Sequence, residues 1–131
     1  MPRSRLPSKW EKKSSSGEMT SPYIPETGDI VMMDFDPQVG REQAKRRPAL
    51  VITDQRYNRA SGLAVVCPLT SKRKPYPFAF PITLDRIEGA VLVDQLKSMD
   101  WSGRNAKFHS RAPAALLTNV RQYIAVLLGL R

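Results

Sequence analysis

The chain has 131 residues, with 21 Lys and Arg against 12 Asp and Glu and a formal net charge of +9. That is the length of one domain, and a hydrophobic fraction of 41% allows a small core and excludes wholesale disorder. A single cysteine and a single histidine exclude an intramolecular disulfide framework, a multi-cysteine or paired-histidine metal site, and a two-histidine ribonuclease mechanism within one chain. No apolar run approaches the roughly 20 residues that span a bilayer. The basic start (Arg3, Arg5, Lys9) is followed by no apolar stretch, so no signal peptide is expected.

Residues 1–22 carry five bases, two acids and six serines, with few large apolar side chains. Such a segment cannot offset its ordering entropy, and it reads as a mobile basic tail ahead of a domain over 23–131. Asp29–Phe35 (DIVMMDF) is a first strand, bounded by Thr27-Gly28 and Asp36-Pro37. Asp36–Arg46 is too polar for a strand and reads as a long loop. Pro48–Thr53 (PALVIT) is a second strand, with proline at its first position because proline lacks the ladder donor. Ser61-Gly62 predicts a hairpin turn into a third strand, Leu63–Leu69 (LAVVCPL), with Cys67 as a small core residue. Tyr76–Leu84 alternates in part, placing Phe78, Phe80 and Ile82 on one side. Glu88-Gly89 predicts a turn before a short strand, Ala90–Val93, and Asp94–Trp101 is strand or extended. Residues 102–112 read as a basic loop. Pro113 suits a helix start, Leu116, Leu117, Val120, Tyr123, Ile124, Leu127 and Leu128 recur at helical spacing, and Gly129 suits the stop. The expected fold is mainly β, a small barrel with a C-terminal helix over 113–128 packed on it.

The charge is local. Residues 41–74 hold nine bases and two acids, a net of +7, whereas 23–131 as a whole holds 16 bases and 10 acids, a net of +6. Concentrated charge is what a polyanion-binding surface requires. If strands two and three pair antiparallel, their outer ends meet, and Arg47 and Thr70 share one end of the sheet. Glu42 lies on the loop above that end, and Lys72-Arg73-Lys74 form a basic rim. A carboxylate, a guanidinium and a hydroxyl are thereby gathered on a loop-decorated edge.

These residues resemble a family. Gly40-x-Glu42-Gln43 followed by Arg47-Pro48, then Pro68-x-Thr70-Ser71, then Asp94-Gln95-x-Lys97, are similar to the motifs of the MazF/PemK (Kid) toxins, as is the lead-in Tyr23-Ile24-Pro25 to Asp34-Phe35-Asp36-Pro37. The resemblance runs from about Tyr23 to Trp101, more faintly through the terminal helix, and lies nearer MazF. It implies an SH3-like barrel and a homodimer. It further implies a cytoplasmic, sequence-specific, metal-independent endoribonuclease of a type II toxin–antitoxin system, which cleaves mRNA and halts growth, and an acidic MazE-like antitoxin. No cofactor and no metal are expected. The resemblance assigns Glu42, Arg47 and Thr70 to the active site. Asp94 matches an acid of the PemK branch, but this chain has Leu92 where that branch has its arginine and Arg41 where it has a histidine, so the MazF arrangement fits better.

Metal-free RNA cleavage proceeds by attack of the RNA's own 2′-hydroxyl on the adjacent phosphorus. It leaves a 2′,3′-cyclic phosphate and a 5′-hydroxyl, and needs a proton acceptor, charge stabilisation and a proton donor. Glu42 is the available acceptor. Arg47 offers a planar fork to two non-bridging oxygens and, with a guanidinium pKa above about 12, stabilises charge rather than releasing a proton. The Thr70 hydroxyl can donate to a phosphate oxygen. Lys45, Arg46, Lys72, Arg73 and Lys74 are expected on RNA phosphates, with Lys97 beside them. Gln43 and Gln95 are expected on base edges and Tyr76 on a base face of single-stranded RNA, and the resemblance adds Asp94 as an RNA-binding acid. His109, in the 102–112 segment outside the matching motifs, is not expected to take part, and the leaving-group acid has no assignment. Two other readings stay open on the residues alone: a CcdB-like barrel that binds a protein such as gyrase without catalysis, and a non-catalytic RNA-binding barrel.

Overall fold

The computed structural model describes residues 23–35, 46–72, 75–84 and 86–130. Strand β1 (Asp29–Asp34) pairs antiparallel with β2 (Arg46–Val51), and helix α1 (Gln55–Ser61) leads into β3 (Ala64–Thr70). β4 (Ala79–Leu84) and β5 (Ile87–Leu92) follow, then a 3-10 turn at Val93–Gln95, β6 (Lys97–Met99), β7 (Lys107–Arg111) and helix α2 (Ala114–Leu128). The sheet runs β4-β5-β3-β2-β1-β7, with β6 also on β3. β3 is the shared staple. It pairs β2 along one side, and its other side pairs β6 at the start and β5 at the end. The result is a curled antiparallel sheet, a half-barrel, closed by the C-terminal helix, as expected.

Strand alternation sorts the core onto two faces. Ile30, Leu50, Cys67 and Leu69 join Ile82, Val91 and Val93 on the face that α2 covers with Leu116, Val120 and Ile124. Their neighbours in sequence, Val31, Met33, Ala49, Val51, Ala64 and Val66, form the other face with Phe35 and Met99, packed by Tyr23 and Trp101. Leu116, Val120 and Ile124 recur every four residues, which places them on one stripe of α2. Full burial of such side chains contributes about 1.5–3 kcal/mol each. Phe78, Phe80 and Ile82 do share a side, and both phenylalanine rings meet Tyr123 edge-on, at centroid distances of 6.3 and 5.4 Å. Gly129 ends α2 in the left-handed region, at φ 74°, where a Cβ is disfavoured. Leu128 stays exposed. Cys67 is fully buried, and its thiol is pushed up to about 12 by burial and then by Asp94, as befits a core residue.

Four local expectations differ from the structure. The turn at Ser61-Gly62 is the end of α1, whose N-cap Asp54 accepts from the Tyr57 amide at 2.9 Å and whose C-cap Gly62 has φ 77°. Strands two and three are still antiparallel, but a helix joins them. Strand β2 begins at Arg46, two residues earlier than expected. Pro48 is tolerated inside it because the registered pairing to β3 starts only at Ala49↔Pro68. Glu88-Gly89 lies within β5, opposite Thr83 and Ile82, and the chain reverses before it, around residue 86. The supposed loop at 102–112 is a turn followed by β7, an edge strand with the polar sequence KFHSR and no buried residue. An edge strand half exposed to water needs no apolar alternation, so periodicity gives no sign of it.

Two polar anchors fix the sheet. Asp29, 4% exposed, accepts from the Tyr23 hydroxyl, the Glu26 amide (3.1 Å) and Arg111 Nη1 (2.6 Å), tying the lead-in and β7 to β1. Asn58, fully buried on α1, accepts from Thr53 Oγ1 at 2.7 Å and donates to the carbonyls of Pro25 and Thr53 at 2.8 and 3.0 Å. Every hydrogen-bonding role of that amide but one acceptor site is used, so burial costs little.

Candidate active site

Registered pairs Ala49↔Pro68 and Leu50↔Cys67 fix the offset between β2 and β3. Continued two residues outward, that offset sets Arg47 opposite Thr70. Both line one open pocket of roughly 670 Å³, ample for a nucleotide. The juxtaposition deduced from antiparallel pairing alone is therefore present. Four cations, Arg46, Arg47, Lys72 and Arg86, surround the pocket against one carboxylate, Glu88. Pro48, Leu69, Ile87 and Met32 give it an apolar floor, and His109 stands at its β7 side. An apolar floor raises the strength of every charge interaction above it by excluding water.

The partners of each group decide what it has left to offer. Arg47 is half-buried and has no hydrogen bond or ion pair among the described residues, so its fork is uncommitted there. Thr70 Oγ1 accepts from the Lys72 amide at 3.2 Å, a turn-capping contact. In that bond the amide supplies the hydrogen, so the hydroxyl hydrogen of Thr70 remains to be donated. Capping the turn and binding a phosphate oxygen are thus compatible for this residue. Gly89 is the reason β5 can run so close. A Cβ there would stand 1.8 Å from the Thr70 carbonyl oxygen.

Arg46 is occupied differently from expectation. Its Nη1 binds Asp34 Oδ1 at 2.9 Å, and its Nη2 binds the carbonyls of Met32 and Asn105 at 2.9 and 2.7 Å. It clamps β2 to β1 and to the turn before β7. Asp34 accepts from Asn105 and from Arg46, which hold its carboxyl below the usual range. Lys72 is exposed at the pocket rim, where it can meet a phosphate.

Glu42, Gln43 and Lys45 on the first loop, and Arg73 and Lys74 on the second, lie outside the described residues. The remaining predicted contacts are elsewhere. Asp94 and Gln95 sit in the 3-10 turn after β5, and neither lines the pocket. The Tyr76 hydroxyl donates to Asp94 Oδ2, and that bond, more than burial, raises the tyrosine's pKa. Tyr76 keeps 47% of its surface exposed while its hydroxyl is held. Asp94 Oδ1 is buried without a partner among the described residues. Lys97 Nζ lies 5.6 Å from the centre of the Phe35 ring, a cation–π contact on the β6 side. Arg86, Glu88 and His109 are the pocket residues that sequence reasoning missed. The signal for the first two was only a turn misplaced by two residues. For His109 it was an edge strand mistaken for a loop. Among the described residues no three His, Cys, Asp or Glu side chains gather as metal ligands do, and no helix is long and apolar enough to cross a membrane.

A curled β sheet capped by a helix, with a cationic pocket set on an Arg–Thr pair, describes a small protein built to bind a polyanion. Comparison with known proteins makes this specific. Residues 26–128 match the family described as PemK-like, MazF-like toxin of type II toxin-antitoxin system, and the chain belongs to that family. It is 37% identical over 111 residues to the Escherichia coli K12 endoribonuclease toxin MazF, covering 85% of this chain and all of that one. It is 33% identical over 108 residues to the endoribonuclease PemK of Escherichia coli, covering 79% and 81% of the two chains. Among solved structures, a MazE–MazF crystal structure from Deinococcus radiodurans superposes with a TM-score of 0.79 at 41% identity, covering 84% of this chain and all of the other.

Proposed function

We propose that this toxin is an endoribonuclease that cuts single-stranded mRNA at the pocket between Arg47 and Thr70, stopping translation and growth. The observation that carries the reading is the meeting, in one cationic pocket, of a guanidinium and a hydroxyl hydrogen that have no partner among the described residues. Arg47 binds the two non-bridging phosphate oxygens as a fork and meets the negative charge that grows as the phosphorus becomes five-coordinate. Thr70 donates to one of the same oxygens and fixes its orientation. Glu42, which the family resemblance assigns to the active site, is the carboxylate that takes the 2′-hydroxyl proton. Lys72 and the neighbouring basic residues hold flanking phosphates, and exposed Tyr76 stacks on an unpaired base. The nucleophile and the leaving group both belong to the RNA, so the step requires no metal ion and no cofactor.

The same cationic edge suits an acidic antitoxin of the MazE kind. The Deinococcus relative was crystallised as a MazE–MazF complex, and occupation of this pocket by an acidic segment would block RNA. The toxin acts as a homodimer in the cytoplasm, where its mRNA substrate is found. Incubation of the purified, antitoxin-free protein with mixed-sequence RNA in EDTA tests the reading. Discrete cuts that vanish in Arg47→Ala support it. RNA left intact at every concentration of folded protein would favour a non-catalytic binder, of RNA or of a protein such as gyrase.

A further inference from the structure

We propose that His109 is the general acid of the cleavage reaction, delivering the proton that the 5′-oxygen needs as it leaves. The inference rests on the endoribonuclease reading and fills the one chemical role that reading leaves empty.

The backbone places His109 in an unusual position. On β7, Ser110 pairs with Ile30 and Phe108 pairs with Val31, although Ile30 and Val31 are consecutive. One residue on β7 is therefore left over, and it is His109. This is a β-bulge, an insertion that leaves its extra residue out of the ladder and re-aims its side chain. Ser110 lies opposite Ile30, in the cluster under α2, and Phe108 packs against Tyr23 at a centroid distance of 5.9 Å on the other side. The residue between them is turned into the pocket that Arg47 and Thr70 line.

The imidazole is also held. His109 Nδ1 lies 2.9 Å from Ser110 Oγ, its one hydrogen-bond contact among the described residues. That contact fixes one ring nitrogen and leaves Nε2 without a protein partner there. β7 lies two strands from β2, about 10 Å across the sheet, with Met32 of β1 between them in the pocket floor. Arg47 pairs with Met33, and His109 stands beside Ile30 and Val31, two to three residues further along, so the two residues are rooted roughly 13 Å apart, a span that an arginine and a histidine reaching from two sides of one phosphodiester can close.

The other groups in the pocket suit the role less. A guanidinium is a poor proton donor, which sets aside Arg46, Arg47 and Arg86. Lys72 is a rim lysine, and Glu88 is a carboxyl exposed to water among cations. An imidazole is the side chain whose ordinary titration lies nearest neutrality, so it can carry a proton and release it on demand. The step balances. The 2′-oxygen bonds to phosphorus and gives its proton to the carboxylate acceptor. The P–O5′ bond breaks, and O5′ takes the proton from His109 Nε2. The neutral imidazole is then reprotonated by solvent.

The test uses an RNA oligonucleotide with one mapped cleavage site, and a second in which the bridging 5′-oxygen is sulfur. A thiolate leaves without protonation, so it does not need the acid. His109→Gln and His109→Asn are compared with wild type in single turnover, with binding of a 2′-deoxy analogue reporting the folded site. The expected result is at least a 100-fold loss on the oxygen substrate, from the typical worth of a positioned acid. On the sulfur substrate, variants and wild type should agree within about threefold, since that leaving group needs no acid. Variants that cut the oxygen substrate at the wild-type rate would overturn the assignment. So would a deficit that persists with sulfur, which marks a binding or positioning role, or loss of analogue binding in both variants, which marks a structural one. Wild-type protein that cuts neither substrate refutes the endoribonuclease reading itself.

Discussion

Gly89→Ala tests the coupling of the fold to the site. The added Cβ would stand 1.8 Å from the Thr70 carbonyl oxygen and 2.9 Å from Ser71 Cα, both backbone atoms. Real Cβ contacts essentially never fall below 3.0 Å, so β5 and β3 must part by at least the difference, 1.2 Å. The β3–β5 ladder consists of two registered pairs, Leu69↔Val91 and Thr70↔Ala90, and it has little reserve to absorb such a shift. Overpacking of this kind costs about 1–3 kcal/mol, or roughly 5–15 °C in Tm for a domain of this size. Displacement of Thr70 by about 1 Å from its place opposite Arg47 is expected to lower kcat/KM on the order of 100-fold. Calorimetry and a fluorogenic oligonucleotide cleavage assay read the two effects on the same sample. A Gly89→Ala protein with wild-type Tm and wild-type turnover would refute the reasoning that β5 sets the position of Thr70.

Three further outcomes are expected. Arg47→Lys preserves charge but loses the fork, so cleavage should fall by about 10²–10³-fold; Tm should change little, because Arg47 holds no bond among the described residues, and near-native turnover would remove the bidentate role. Asn58→Ala removes three side-chain hydrogen bonds, one of them fully buried, and deprives the Pro25 carbonyl of its side-chain donor, at a cost of about 3–5 kcal/mol, measurable as a lower urea midpoint. Burial, and next the bond to Asp29, raises the Tyr23 pKa above its ordinary 10.0. A raised folded-state value gives a contribution present in full below pH 10 and lost as pH rises beyond it, so the urea midpoint should decline above pH 10, and less steeply in Tyr23→Phe.

The central strands and the terminal helix are legible in the sequence because their apolar residues recur with the period of the element that buries them. Leu116, Val120 and Ile124 show this for α2, and the split of Ile30 from Val31 and of Leu50 from Val51 shows it for the sheet. Helix α1 escapes notice because seven residues with two buried side chains, one of them Asn58, carry no such period. β7 escapes because it buries nothing. The Arg47–Thr70 pair follows from strand direction alone and survives replacement of the expected hairpin turn by a helix, since the offset between β2 and β3 does not depend on what joins them. The place of His109 depends on a bulge, a backbone irregularity with no residue signature, and no pattern of spacing reveals it. Arg46 illustrates the reverse limit. Its charge is legible, but its three bonds to Asp34, Met32 and Asn105 are made by segments distant in sequence.

The central claim is cleavage by the RNA's own 2′-hydroxyl at the Arg47–Thr70 pocket, and the ends of the fragments test it most directly. A long RNA cut by the purified protein in EDTA should yield fragments with 5′-hydroxyl and 2′,3′-cyclic phosphate ends at a short recurring sequence, and none with Arg47→Ala. Fragments bearing 5′-phosphate and 3′-hydroxyl ends would show that water attacks the phosphorus, and would contradict the account.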